Sequence, residues 1–440
     1  MSDVAAAQSP ALLTRRDRIT CLLLFAAAFL VFLPFAGFPI EYNFDEMHYV
    51  TAAKLLVPPT ANFNWEHPPL AKYLIGLGIA LAGDRPLGWR FAGIVFGAIS
   101  IAGMYVWALA VFHERGLARW VALVTLVNMM VFVLARTAML DIFLLAFLIW
   151  GMAAVSFAWD HRRSAREVRQ LLAFAGVMFG LAAACKWVGW VLVIFLVLLW
   201  ATLRILQRSG ATLFRAPEAG AAPNDQPWYS PTFWNGVSWS DAVVYMLFLP
   251  IVFYAATFLP FLWLPGLDGT VHDIVRLQHD MAFAQAHIEG SHYYSSDWYQ
   301  WPFDSRHMWF YFKNIAGSTR AVLLMGNPVV FYPGFAAAIF CAGSWWQRRT
   351  RETFLCAVWY WLLLLCFTVI PRKISFFHYY LPAACALGLP LAYVFRHYGG
   401  PAIFKRPWGR WAFLAAAAGV FVVFYPVLVG LPLPADFSPR

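Results

Sequence analysis

Runs of roughly 20 consecutive apolar residues recur from one end of the chain to the other, and each is long enough to cross the hydrocarbon core of a bilayer as a helix. About eleven such runs fit into 440 residues, separated by short loops. Composition agrees, with 62% hydrophobic and only 12% charged residues, where a soluble domain carries about a quarter charged. The expected fold is an all-α integral membrane protein. It is a single polytopic domain over residues 1–440, with about 11 transmembrane helices and short helices on the outer surface in the first outer loop.

A net charge of +10 could suggest nucleic acid, but its placement excludes that partner. When segments are assigned alternately to the two sides, the whole excess falls on the side of the N-terminus and the other side is neutral. This is the positive-inside bias, so the N-terminus is expected in the cytoplasm and the C-terminus outside. Arg15, Arg16 and Arg18 precede a first span over about 19–39. That span is long for a signal-peptide core and no small-residue cleavage site follows, so an uncleaved anchor is expected. The six cysteines lie in or beside apolar runs without a C-x-x-C pair, which suggests neither a disulfide framework nor a zinc site.

Further spans are expected at about 86–112, 120–135, 142–159, 170–185, 188–205, 241–263, 321–345, 354–370, 375–395 and 411–431. The loop Asp160–Arg169 is basic and fixes the inner side. Residues 206–240, rich in Pro, Gly, Ala and Ser, read as a cytoplasmic linker and the least structured stretch. Two outer segments stand out, a first loop over 40–85 and a larger one over 264–319. No internal repeat is visible, which weighs against a secondary transporter.

Polar residues gather on the expected outer side. The stretch Glu41–Leu70 holds Asp45, Glu46, Glu66, His48, His67 and Lys54, and carboxylates at the edge of a membrane require a reason to be there. Asn43 and Glu46 have capping-box spacing, so a helix over Phe44–Leu56 is expected. Asp45 and Glu46 can simply decorate its N-terminus. Equally, neighbours on a helix point roughly 100° apart, so one can face a site as a general base while the other makes a structural contact. Glu66-His67-Pro68-Pro69-Leu70 reads as a rigid turn, or as a source of a site histidine. The segment Leu70–Ala82 is too short to span. Arg136, Lys186 and Arg372 with Lys373 stand at outer span ends. They can snorkel to the interface or converge on a phosphate, which arginine binds in bidentate fashion. His292–Phe312 is dense in aromatic residues, either an interface belt or a platform for a sugar or acceptor. No histidine spacing suggests a metal ligand set.

These stretches resemble motifs of the protein O-mannosyltransferase family, glycosyltransferase family 39 of the GT-C class. Phe44-Asp45-Glu46 resembles the family's acidic motif, and His67-Pro68-Pro69-Leu70 with Lys72 its H-P-P-L-x-K element. Arg136 through Asp141 is similar to R-x-x-x-L-D, and Lys186-Trp187-Val188-Gly189 to K-W-V-G. Ser291–Pro302, with Trp298 and Trp301, resembles Y-x-S-x-W-x-x-W-P. Met325-Gly326-Asn327-Pro328 and His378-Tyr379-Tyr380-Leu381-Pro382 resemble the last two motifs. Eukaryotic members carry a β-trefoil MIR domain in the large outer loop; at about 56 residues, 264–319 is too short for one, which fits the bacterial branch.

The resemblance implies transfer of a mannosyl group from a polyprenyl-phosphate carrier to a Ser or Thr hydroxyl of a protein, with inversion and without a metal or other cofactor. Asp45 would be the base, Glu46 would orient the site, and Arg136 would stabilise the departing phosphate, with Lys186 and Arg372 as further phosphate ligands. His67, Lys72, Asp141, Trp298, Trp301 and His378 are the remaining site candidates. The expected setting is the bacterial inner membrane, with the site on the periplasmic side. A relative moving another sugar, or glycosylating a lipid or glycan, remains an alternative, as does a transporter or flippase of lipid-linked sugars.

Overall fold

The structure, a computed structural model, describes residues 11–208, 224–230, 233–234, 236–287, 290–370, 372–398 and 407–434. Helices dominate. In chain order they are α1 (Arg15–Phe32), α2 (Glu46–Leu56), α3 (Leu70–Ala82), α4 (Pro86–Phe112), α5 (Arg115–Leu126), α6 (Met129–Ala135), α7 (Asp141–Ala158), α8 (Ala165–Cys185) and α9 (Gly189–Arg208). Then come α10 (Trp239–Val243), a π-helical turn, α11 (Leu249–Ala256), α12 (Val271–Ala286), α13 (Pro328–Arg348), α14 (Arg351–Leu365), α15 (Leu381–Ala386), α16 (Gly388–His397) and α17 (Pro407–Val429).

Eight helices among the described residues are long and apolar enough to cross a membrane, and nine if α5 and α6 are one bent span. The chain is thus an integral membrane protein. The other two expected spans are helical but fall short of that measure. Helix α1 opens with Arg15, Arg16, Asp17 and Arg18 inside its first turn. The segment expected at 375–395 is broken into α15 and α16. The 65° bend between α5 and α6 has a local cause: Asn128 caps α6, its Oδ1 accepting from Met130 N at 3.1 Å.

Helix α4 is apolar on every face and buried along most of its 27 residues, as a central helix must be. Close packing on it requires Gly97, where a Cβ would sit 2.6 Å from the Cβ of Ala135. Beyond the expected helices, β1 (Met308–Ile315) at the end of the large loop, β2 (Ser318–Leu324) leading into α13 and β3 (Pro432–Leu433) after α17 form a three-stranded antiparallel sheet in the order β1-β2-β3.

The 206–240 linker is more ordered than its composition suggested. Trp228 is buried and stacks on Phe354 with ring centroids 4.7 Å apart, and Asn224 Oδ1 accepts from Arg351 Nη1 at 2.8 Å. The stacked Trp228 and the bond from the buried Arg351 outweigh the local Pro and Gly content; residues 209–223 lie outside the described residues.

Candidate active site

The chain enters the site through a left-handed residue. Phe44 has φ +42°, a conformation that non-glycine residues adopt only when their surroundings hold them there. Its ring stacks on Phe310 of β1 at 5.0 Å and lies within 6.1 Å of the His292, Phe376 and His378 rings, while its N–H donates to the Phe310 carbonyl. Three distant loops therefore fix the backbone one residue before Asp45.

Helix α2 begins at Glu46, two residues later than the expected Phe44, with Asp45 at the N-cap. Only half of the capping box forms: Glu46 Oε2 accepts from Asn43 N at 2.8 Å. The Asp45 side chain makes no capping bond. It is half-buried and accepts a 3.4 Å hydrogen bond from Tyr49 Oη. Burial raises its pKa above the usual carboxylate value, opposed by Lys186 and His48 and reinforced by Asp141.

A cavity of about 360 Å³ opens nearby; Asp45 is not among its lining residues but is within electrostatic reach of two that are, Lys186 and Asp141. Its wall includes Glu66, His67, Asp141, Lys186, Trp187, Gln285, Arg372 and Tyr379. Lys186 leaves the end of α8, and its Nζ lies 2.9 Å from Asp141 Oδ1 and 4.2 Å from the centre of the Tyr379 ring. Burial pulls its pKa down, and Asp141 works against that. The Arg372 guanidinium sits 4.9 Å from the same ring, and its Nε is buried without a hydrogen-bond partner. An aromatic face thus holds two cations at the cavity wall, one of them with a free donor. Burial, with the nearby Lys186 and Arg372, lowers the pKa of His67. His378 lies just behind the wall, its Nε2 4.0 Å from Asp141 Oδ2. Trp301 supports the wall edge-on against Phe367 at 4.9 Å, its Nε1–H donating to Ser296 Oγ. Trp298 is partly buried against the core and does not line the cavity.

Three further expected site residues are turned to other partners. Glu46 does not face the cavity. Its carboxylate is fully buried and accepts from Arg90 Nε and Nη2, each at 2.8 Å, and from the backbone N–H groups of Asn43 and Ala138. Those partners tie the Asn43 and Ala138 backbones to Arg90. Arg136 does not line the cavity either. Its Nη1 donates to the carbonyls of Phe32 (2.6 Å) and Pro34, and its guanidinium lies 4.9 Å from the Phe132 ring. The carbonyls at the C-terminal end of α1 carry partial negative charge, which attracts this cation away from the site. Lys72 points its Nζ into the turn before α3, donating to the carbonyls of Asn64 (2.7 Å) and His67 (2.8 Å).

Two residues were missed from the sequence. Arg90 could have been found, as a lone charge near the start of a long apolar run requires a buried partner. Tyr379 lies inside a quoted motif, but nothing in its residue type announces a bed for two cations.

Two family models match the chain: dolichyl-phosphate-mannose-protein mannosyltransferase over residues 66–216, and the C-terminal four-transmembrane region of protein-O-mannosyltransferase over residues 270–438. A polyprenol-phosphate-mannose–protein mannosyltransferase of Mycobacterium tuberculosis is 26% identical, covering 90% of this chain and 84% of its own length. The protein of the same name from Mycolicibacterium smegmatis is 32% identical over 184 residues, 36% of this chain and 35% of its own length. Among solved structures, the Saccharomyces cerevisiae protein O-mannosyltransferase Pmt1-Pmt2 complex bound to the sugar donor matches with TM-score 0.76 at 14% identity, covering 97% of this chain and 92% of the other. ArnT from Cupriavidus metallidurans bound to undecaprenyl phosphate matches with TM-score 0.60 at 17% identity, covering 94% and 66%. At such identities the two structures speak for a shared fold.

Proposed function

From the membership of this chain in the protein O-mannosyltransferase family, we propose that it transfers mannose from a polyprenyl-phosphate carrier to a Ser or Thr hydroxyl of a protein. One observation carries this reading: the half-buried Asp45 carboxylate is coupled electrostatically to Lys186 and Asp141, which share the wall of the cavity with Arg372. In the reaction, the acceptor oxygen attacks the anomeric carbon on the face opposite the phosphate. The bond from that carbon to the phosphate oxygen breaks, and its electron pair leaves with the phosphate. Asp45 takes the hydroxyl proton as the new bond forms. Arg372 and Lys186 balance the charge that builds on the leaving group. On this reading the phosphate is met by side chains and no metal is required.

An apolar groove supports the lipid half of the donor. It measures about 630 Å³, is lined by Val191, Phe195, Leu198, Val358, Leu362 and their apolar neighbours on α9, α13 and α14, and shares Val191 with the cavity. A prenyl chain seated there would place its phosphate near Arg372. Incubating the purified chain with defined polyprenyl-phospho-sugars and Ser- or Thr-containing peptides, then reading products by mass spectrometry, tests the proposal. Transfer of a different sugar, or no transfer to peptide, would overturn it.

Arg372→Ala should weaken binding of polyprenyl-phosphomannose by roughly 1.5–3 kcal/mol, the worth of a hydrogen bond to a charged group. Arg136→Ala should leave that affinity unchanged, because its guanidinium is spent on the carbonyls of Phe32 and Pro34. Equal losses in both variants, measured by donor titration, would return Arg136 to the site.

We place the cavity on the periplasmic side of a bacterial inner membrane, from the charge bias of the loops. A cysteine at the exposed Tyr293 should react with an impermeant thiol reagent in intact cells, and one at the exposed Ser164 should not. The reverse pattern would invert the topology.

A further inference from the structure

A second cavity, of about 360 Å³, lies far from the first. Arg16, Ile19 and Thr20 of α1, Tyr105 of α4, and Arg115 and Arg119 of α5 line it. Tyr105 follows Arg90 by fifteen residues on α4, which separates this cavity from the Glu46 pair by roughly 22 Å.

Its charge is not balanced. Asp17 neutralises Arg115, with Oδ1 2.7 Å from Arg115 Nε, and also accepts from Tyr105 Oη at 2.7 Å. That carboxylate is therefore used. Arg16 and Arg119 have no carboxylate within ion-pair distance among the described residues, and both are exposed. Arg119 donates from Nε to the Arg115 carbonyl at 3.3 Å, an orientation that holds it beside the mouth. Immediately along α1, Ile19, Leu22 and Leu23 expose 47%, 68% and 66% of their surface. Two guanidiniums without a carboxylate partner among the described residues therefore open onto an apolar helix face one turn away.

We propose that this cavity binds the head group of an anionic phospholipid. The phosphodiester would be met by Arg16 and Arg119, whose planar donors suit phosphate oxygens. The acyl chains would follow the exposed side chains of α1. A free phosphate would satisfy the arginines but leave the apolar face bare, so the lipid uses both features. Such a ligand touches α1, α4 and α5 together and should stabilise the fold by mass action.

The test uses the full chain purified in detergent and stripped of lipid. It is titrated with short-chain phosphatidylglycerol, with phosphatidylcholine of the same chain length, and with inorganic phosphate. Melting temperature and lipid retained in native mass spectrometry are read for each. Phosphatidylglycerol should raise the melting temperature and remain bound; the other two should do neither. The Arg16→Gln/Arg119→Gln double variant should lose roughly tenfold or more in phosphatidylglycerol affinity. Arg166→Gln, an exposed arginine outside the cavity, should lose none. The single Arg16→Gln variant keeps the test valid if the double variant is unstable, since among the described residues the Arg16 guanidinium donates no hydrogen bond. Equal stabilisation by phosphatidylcholine would reduce the site to apolar contact. Equal stabilisation by inorganic phosphate would make it a soluble-anion site. Wild-type phosphatidylglycerol affinity in the double variant would remove the site altogether.

Discussion

Asp45→Asn should lower turnover by roughly 10²–10⁴-fold, the usual worth of a general base, while leaving affinity for the polyprenyl-phosphate donor nearly intact. A Ser or Thr hydroxyl is a poor nucleophile at neutral pH, so its proton must be removed as the bond forms. Asparagine keeps the shape and removes the basicity. The pH dependence has a definite sign. A base works when ionised, so the rate should rise with pH through the pKa of Asp45. Because burial raises that pKa, the acid limb should lie above the ordinary carboxylate range. Stability should move the other way. A carboxylate with a raised folded-state pKa favours the fold at low pH and costs stability as pH rises through that value. At neutral pH the asparagine variant should therefore be at least as stable as the parent. A carboxylate that merely served the α2 dipole would predict a stability loss of roughly 0.3–1 kcal/mol and normal turnover. Initial rates and melting curves on one preparation separate the two, and wild-type rates in a folded variant would remove Asp45 from the chemistry.

Much of this site is legible in the sequence because its parts obey short-range rules. Long apolar runs define the helices, and the polar breaks between them hold Asp45, His67, Asp141, Lys186 and Arg372. The roughly 100° between neighbouring helical side chains already allowed Asp45 and Glu46 different tasks. Partner choice is a different matter, being decided by three-dimensional proximity. Arg136 and Arg372 look alike as cations at span ends. One finds the carbonyls of Phe32 and Pro34, and the other finds the Tyr379 ring at the cavity wall. Lys72 sits in a family-like motif, yet its charge serves the turn and not the cavity. The bend between α5 and α6 was hidden for a related reason. The apolar pattern continues through Asn128, and only its capping bond reveals that the helix restarts there.

Breaking the Glu46–Arg90 pair should be the most destabilising single change at this end of the molecule. Both side chains are fully buried. Arg90 spends its guanidinium on five hydrogen bonds, two to Glu46 and one each to the carbonyls of Ala36, Pro39 and Glu41. Arg90→Met leaves the Glu46 carboxylate buried without its cation, which costs roughly 3–5 kcal/mol. Glu46→Gln should cost less, since an amide oxygen can still accept while one arginine contact is lost. Adding Glu46→Leu to Arg90→Met should recover only part of the loss. In many buried pairs the apolar double replacement is near neutral, but here the N–H groups of Asn43 and Ala138 and three loop carbonyls would lose their partners as well. Activity should fall along with stability, for a geometric reason. Asn43 lies two residues before Asp45, and Ala138 three before Asp141, so this one carboxylate ties the loop of the base to the loop beside Lys186. Denaturant titration of the two single variants and the double variant in detergent measures the stability terms. A loss below about 1 kcal/mol for Arg90→Met would mean that other contacts hold the two loops together.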